Sequence, residues 1–241
     1  MSIHLVGGGW NVDGDPEVTG GFLAEAAQRA AGSGRMVPRI GVLIVVEDGD
    51  PSLDYRAGYP ESFTRVASCD PVVHMVEDGA AFDSSVLNDI DALVICGGLT
   101  PAYIPAIAPL MEEIRLLVAD GLPYLGYSAG AMIASDRAII GGWRIDGIPV
   151  APEETGEDLD EVTVVEGLGL IDLAVDVHAA QWGTLGRLVA ATEAGLVDGG
   201  VAIDENTALV IADDELRVVG SGNVWQVLDQ DGVITVGTLG Q

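Results

Sequence analysis

The sequence predicts an α/β protein built on a doubly wound, mostly parallel sheet with a C-terminal antiparallel extension. Three features carry this expectation. Short apolar runs, "IHLVGGG", "RIGVLIVV", "VVHMV", "DALVICGG" and "PYLGYS", have strand length and end in Gly-rich or polar turns, as buried parallel strands do. Between them, "EVTGGFLAEAAQRAAG", "PESFTRVAS" and "AYIPAIAPLMEEIRLLVADG" place apolar residues at helical spacing, and Gly121 and Pro123 stop the last of these. After Ile139 the alternation gives way to an acidic loop, "APEETGEDLDE", a helix over "AAQWGTLGRLVAATEAG", and the tail "TALVIADDELRVVGSGNVWQVLDQDGVITVG". That tail reads as short strands turning at Asp213-Asp214, Gly220 to Asn223 and Asp231-Gly232, an antiparallel meander expected to close the sheet. Neither a repeat nor a long linker interrupts the pattern, so residues 1–241 are read as one domain.

Composition narrows the function classes. With 241 residues, 49% of them hydrophobic, the chain can bury a large core, yet its apolar runs fall far short of the ~20 residues a membrane helix needs. The opening "MSIHLVGGGW" has no basic region followed by an apolar stretch, which leads to an expectation of cytoplasmic residence. Ten Lys+Arg, all of them arginine, stand against 38 Asp+Glu, a formal net charge of −28 that repels nucleic acid and anionic membranes alike. A chain without lysine has no P-loop, and "GGGWNVDG" lacks the spacing of a dinucleotide fingerprint. Two cysteines and three histidines show no metal-ligand spacing, so neither metal nor cofactor is expected. Cys96, inside an apolar run, reads as a packing residue.

The strongest chemical signal is Gly126-Tyr127-Ser128-Ala129-Gly130, a G-x-S-x-G pattern between a strand and a helix start. A nucleophilic serine needs such a turn, because flanking glycines permit the close backbone approach that lifts the hydroxyl above the sheet. It also needs a base. His4 and His74 lie inside strand-like runs, whereas His178 follows the run "LAVDV" and precedes a helix, at a strand end like Ser128. A base there gives the order serine, histidine, acid, which disfavours an ordinary α/β-hydrolase with its C-terminal histidine. Downstream, Asp204-Glu205 offers carboxylates, although the residues alone fit a solvated turn slightly better. Gly98 in "ICGGLTP" and Ala129 after the serine are the candidate backbone donors to an oxyanion; Gly97-Gly98 otherwise serves only as a tight exit from its strand.

In order, "ICGGLTP", "GYSAGAMI", "DVHAAQWGTLGRL" and "AIDENTALVI" resemble the aspartyl dipeptidase (peptidase E) and cyanophycinase family of serine peptidases, over roughly residues 92–212. The resemblance implies a class I glutamine amidotransferase-like fold with a flavodoxin-like core. It implies Ser128 as nucleophile, His178 as base, Glu205 as the acid orienting it, Gly98 with Ala129 as the oxyanion hole, and substrate contacts from Thr100 and from Arg187 in the retained G-R-L. The expected function is hydrolysis of short peptides through an acyl-enzyme. An esterase or acyltransferase using the same triad, or a non-catalytic binding module on the same scaffold, are the alternatives. Small peptides are the expected partners, with homodimer formation left open. The segment after His178 departs from the family: Ala179 replaces an aromatic residue, Trp182 is displaced, and arginines other than Arg187 are missing, which removes the physical basis for selecting an N-terminal Asp.

Overall fold

The computed structural model describes residues 2–9, 11, 13–47, 53–212 and 215–240, with the backbone alone for 53–57. Strands β1 (Ser2–Val6), β2 (Arg39–Val46), β3 (Asp70–Glu77), β4 (Ala92–Ile95) and β5 (Tyr124–Tyr127) alternate with helices α1 (Pro16–Gly32), α2 (Leu53–Val66), α3 (Thr100–Ile107) and α4 (Met111–Ala119). A four-residue helix α5 (Ala129–Met132) leads to β6 (Arg137–Gly141), the small hairpin β7 (Arg144–Ile145) and β8 (Ile148–Pro149), then β9 (Thr163–Glu166) and β10 (Ala174–Val177). Helices α6 (Ala179–Trp182) and α7 (Leu185–Glu193) precede β11 (Gly199–Ile203), β12 (Thr207–Ala212), β13 (Glu215–Gly220), β14 (Val224–Gln230) and β15 (Val233–Leu239).

The main sheet has seven strands in the order β13-β12-β1-β5-β4-β2-β3. Its five N-terminal strands run parallel, and β12 and β13 extend it antiparallel beside β1. This is the α/β, mostly parallel architecture expected from the alternation of strands and helices. The period of two along each strand divides its side chains between two cores. Val42, Ile44, Val94 and Leu125 pack beneath Phe22 of α1 and Tyr59 and Phe63 of α2. Leu43, Val45 and Ile95 face the other way, into a larger core shared with Met132, Val175, Val201 and Leu188. Each such side chain contributes roughly 1.5–3 kcal/mol on burial.

That larger core has a second wall, a four-stranded sheet in the order β10-β11-β14-β15. The tail therefore departs from the single meander expected: β12 and β13 join the main sheet, while β14 and β15 pair beyond β11 in the second one. The turn at Gly220 to Asn223 carries the chain between them, and Asp204 fixes its end, since Asp204 Oδ2 accepts the Asn223 N–H at 2.8 Å and the Asn223 carbonyl accepts the Asp204 N–H at 3.0 Å. The turn expected at Asp213-Asp214 lies outside the described residues. Two expected helices are also broken. Pro109 has no N–H to donate and crowds the preceding turn, so the run 102–121 divides into α3, a 3₁₀ turn at 108–110 and α4. Gly183, at φ +76°, ends α6 in the left-handed conformation before α7 begins.

The parallel strands deliver the G-x-S-x-G turn with little room to spare. A Cβ on Gly126 would lie 2.4 Å from the Gly130 carbonyl oxygen, and one on Gly130 would lie 2.1 Å from the carbonyl oxygen of Ile95. The motif's second glycine thus lets α5 settle against β4. Gly130→Ala is expected to lower stability by about 2 kcal/mol through backbone displacement; urea denaturation should show a reduced midpoint at unchanged slope.

Candidate active site

Ser128 directly follows β5 at φ +51°, ψ −110°, a conformation that is strained for a residue with a Cβ. Its N–H donates to the Val6 carbonyl at 2.9 Å, which ties the turn to β1. His178 directly follows β10 and is also left-handed, at φ +55°. Its N–H donates to the Gly7 carbonyl, 2.8 Å away on the exit from β1. The side chains of these two residues, from different sheets, meet with Ser128 Oγ 2.9 Å from His178 Nε2. On the far side of the ring, Nδ1 lies 2.7 Å from Glu205 Oε1. A carboxylate only accepts, so this contact assigns the proton to Nδ1 and leaves Nε2 free to accept from the serine hydroxyl.

Burial lowers the His178 pKa below the ordinary histidine value, against the opposing hydrogen bond and charge of Glu205. Glu205 lies on the connection from β11 in the second sheet to β12 in the first, and its N–H donates to Gln181 Oε1 at 2.9 Å. Its neighbour Asp204 has a different task. Buried at 3% exposure, Asp204 accepts from the Ala180 N–H at 3.0 Å and from Trp225 Nε1–H at 3.0 Å, besides Asn223. It therefore fixes the start of α6 and the start of β14, whereas Glu205 reaches the histidine.

Gly98 leaves β4 at φ +150°, a conformation that favours glycine. The turn is held by Tyr103, whose hydroxyl donates to the Gly97 carbonyl at 3.0 Å and accepts the Val45 N–H at 3.3 Å. Among the described residues, no backbone or side-chain acceptor takes the N–H of Gly98 or of Ala129. Gly98 lines the cleft in front of Ser128 together with Leu99 and Trp182, and Ala129 directly follows the serine.

The two residues expected to contact substrate are committed elsewhere. Thr100, the first residue of α3, is fully buried with Oγ1 3.6 Å from Met132 Sδ, so Leu99 and not Thr100 faces the cleft. Arg187 is drawn into the core by Asp176. Its Nε and Nη2 donate to the two Asp176 carboxylate oxygens at 2.8 and 2.7 Å, and Nη1 donates to the carbonyls of Thr155 and Gly142 at 2.7 and 3.2 Å. With four of its five N–H donors so engaged and the side chain buried away from the cleft, the guanidinium anchors the acidic loop instead. Arg137 donates to the Leu196 carbonyl, and Arg144 pairs with Asp160 and Glu161 on the surface.

That acidic loop is the part of the site the sequence does not assign. Glu154, Glu157 and Asp158 line the cleft beside Ser128 and His178. Glu157, left-handed at φ +56°, accepts the Thr100 N–H on Oε2 at 2.8 Å and so links the loop to the segment carrying Gly98. Burial pushes its carboxyl up to about 7, with the Asp176 charge adding to the shift and Thr100 and Arg187 opposing it. Cys96 is buried and its thiol is pushed up by burial, in keeping with a packing role. Among the described residues no cluster of three or more His, Cys, Asp or Glu could hold a metal ion, and no helix is long and apolar enough to cross a membrane.

Residues 63–219 match the family model of peptidase family S51, a span that covers the serine, the histidine and the acid. The chain belongs to peptidase family S51. Among its S51 relatives, a cyanophycinase from Trichormus variabilis is 36% identical over 137 residues, 56% of this chain and 41% of that protein. A cyanophycinase from Synechococcus elongatus is 37% identical over 126 residues, 51% of this chain and 36% of that one. The chain thus spans about two fifths of the length of the curated relatives it matches. A crystal structure of a peptidase from an acI-B1 Actinobacterium has the same fold at a TM-score of 0.64 and 19% identity, covering 100% of this chain and 95% of that one.

The raised Glu157 carboxyl has a consequence for stability in this S51 chain. Between about pH 4.5, its ordinary value, and about pH 7, the folded state holds a proton that the unfolded chain has released. Stability from this group is therefore full below that window and lost as pH rises through it. Glu157→Gln keeps an acceptor for Thr100 and removes the titration. Paired thermal melts from pH 4.5 to 7.5 should show the variant gaining on the wild type by on the order of 1 kcal/mol across that window.

Proposed function

We propose that this chain is a serine peptidase that hydrolyses short peptides through an acyl-enzyme intermediate. The observation that carries the reading is the continuous hydrogen-bonded line from Ser128 Oγ through the two nitrogens of His178 to Glu205 Oε1, at 2.9 and 2.7 Å. Ser128 attacks the scissile carbonyl as His178 Nε2 takes its proton. The imidazolium so formed is stabilised by Glu205 and then gives the proton to the leaving amine. Water repeats the sequence on the acyl-enzyme, and the serine is released. The N–H groups of Gly98 and Ala129 receive the oxyanion. Fixed in the backbone beforehand, they require no reorganisation as charge develops. A non-catalytic module has no use for a strained serine held within hydrogen-bonding distance of a buried histidine.

The fluorophosphonate reaction tests the assignment directly. Wild type should be labelled, Ser128→Ala should not, and His178→Ala should label slower by about three orders of magnitude or more; labelling of Ser128→Ala would refute the nucleophile. Because burial lowers the pKa of His178, the neutral base persists to lower pH than in an ordinary histidine. The acid limb of kcat/KM should accordingly fall below 6.5.

The cleft also bears on substrate. Glu154, Glu157 and Asp158 surround the space in front of Ser128, and the one arginine retained after His178 is sealed in the core. A peptide with an acidic side chain beside the scissile bond would bring a carboxylate beside Glu154 and Asp158, and beside Glu157 as well once that carboxyl ionises near pH 7. Profiling with a dipeptide library should show neutral and basic peptides cleaved about five- to tenfold faster than acidic ones, with the difference shrinking at 1 M salt. Preference for N-terminal Asp would overturn this part of the reading.

A further inference from the structure

We propose that Trp182 and Gly8 are positioning residues that clamp the His178 imidazole, so that Nε2 stays directed at Ser128 Oγ in both the neutral and the protonated ring. The inference rests on the reading of His178 as the base. Trp182 is four residues beyond His178, and its N–H donates to the His178 carbonyl at 2.8 Å across α6. That single turn lays the indole flat on the imidazole, with ring centroids 3.8 Å apart and planes inclined by only 7°. Gly8, at φ +98°, supplies the second restraint by lacking a side chain. A Cβ there would lie 2.0 Å from Cε1 of His178 and 2.6 Å from each ring nitrogen, so the imidazole occupies the space a side chain would need.

The backbone around Gly8 fixes the same arrangement. Gly7 accepts the His178 N–H, and Gly8 accepts the N–H of Asn206, next to Glu205, each at 2.8 Å. The "GGG" segment, which fits no cofactor motif, thus serves as the bed on which histidine and acid are laid side by side. Hydrogen bonds at Nε2 and Nδ1 alone leave the ring free to rock about the line joining them. The indole and the backbone at Gly8 restrict that motion. The indole also does something a purely steric wall would not, because its π face attracts the imidazolium that forms when Ser128 gives up its proton.

The test uses full-length wild type, Trp182→Phe, Trp182→Leu, Gly8→Ala, His178→Gln and Ser128→Ala. Protonated imidazole in stacking contact quenches indole emission, so wild-type fluorescence should step down as His178 titrates, and the step should vanish in Trp182→Phe and in His178→Gln. Other charged groups acting on the ring are Glu205 on the β11–β12 connection, Glu47 at the end of β2, Glu154, Glu157 and Asp158 on the acidic loop, and behind it the buried Asp176–Arg187 pair, all present in every variant compared. Fluorophosphonate labelling at saturating probe should be slowed about fivefold by Trp182→Leu, restored by Trp182→Phe, and slowed further by Gly8→Ala, with the half-saturating probe concentration unchanged. A wild-type labelling rate in Trp182→Leu, or a fluorescence step that survives in His178→Gln, overturns the clamp. Labelling of Ser128→Ala, or none of the wild type, overturns the peptidase reading instead, and the fluorescence step then decides the clamp by itself.

Discussion

Two backbone hydrogen bonds at the exit of β1 hold the molecule's chemistry in one place: the Gly7 carbonyl receives the N–H of His178, and the Gly8 carbonyl receives that of Asn206. The first joins the end of a strand in the second sheet to the main sheet. The other draws the connection between the two sheets onto the same short segment. Ser128 hangs from the same strand, through its N–H to Val6. Ser128, His178 and Glu205 thus come from a parallel sheet, a second sheet and the crossing between them, and all three are referenced to β1. The glycines at this exit are what allow three backbones to come so close.

The charged groups behind the site follow from the same geometry. Asp176 on β10 points into the core, away from the cleft, and a buried carboxylate needs a partner. Arg187 supplies it and, with its remaining donors, grips the loop that forms the cleft's acidic side. From that loop Glu157 reaches across to the N–H of Thr100, two residues from Gly98. A cation that appears suited to substrate in the sequence is therefore a structural pin, and its influence on the cleft runs through loop placement.

Much of this arrangement was legible in the sequence, for reasons that differ by residue. Strands buried on both faces read as unbroken apolar runs, so "RIGVLIVV" and "DALVICGG" announced the parallel sheet. Ser128 was visible because a sharp turn requires glycines at fixed spacing, and His178 because only three histidines exist. Glu205 was not separable from Asp204 by spacing, since either side chain on that turn could face the ring; what separates them is that Asp204 is consumed by Ala180, Asn223 and Trp225. Arg187 and Thr100 were misread because a motif carries residue identity and no direction, and both side chains point inward. The split of the tail between two sheets was likewise hidden, because strands of either sheet share the same alternation. Trp182 lay in plain view one helical turn from His178, yet a stacking contact depends on a helix four residues long that no periodicity can report.

The position of Glu205 on the crossing between sheets gives the site a further character. His178 and Glu205 leave the adjacent parallel strands β10 and β11 of the second sheet, whereas Ser128 leaves β5 of the first, so the Ser128–His178 distance is set by how the second sheet sits on the first. A loosening between the layers that left every strand pairing intact would still part serine from histidine. The Ser128–His178 contact therefore measures the fit between layers, and along an unfolding path it should disappear before the parallel sheet itself dissolves.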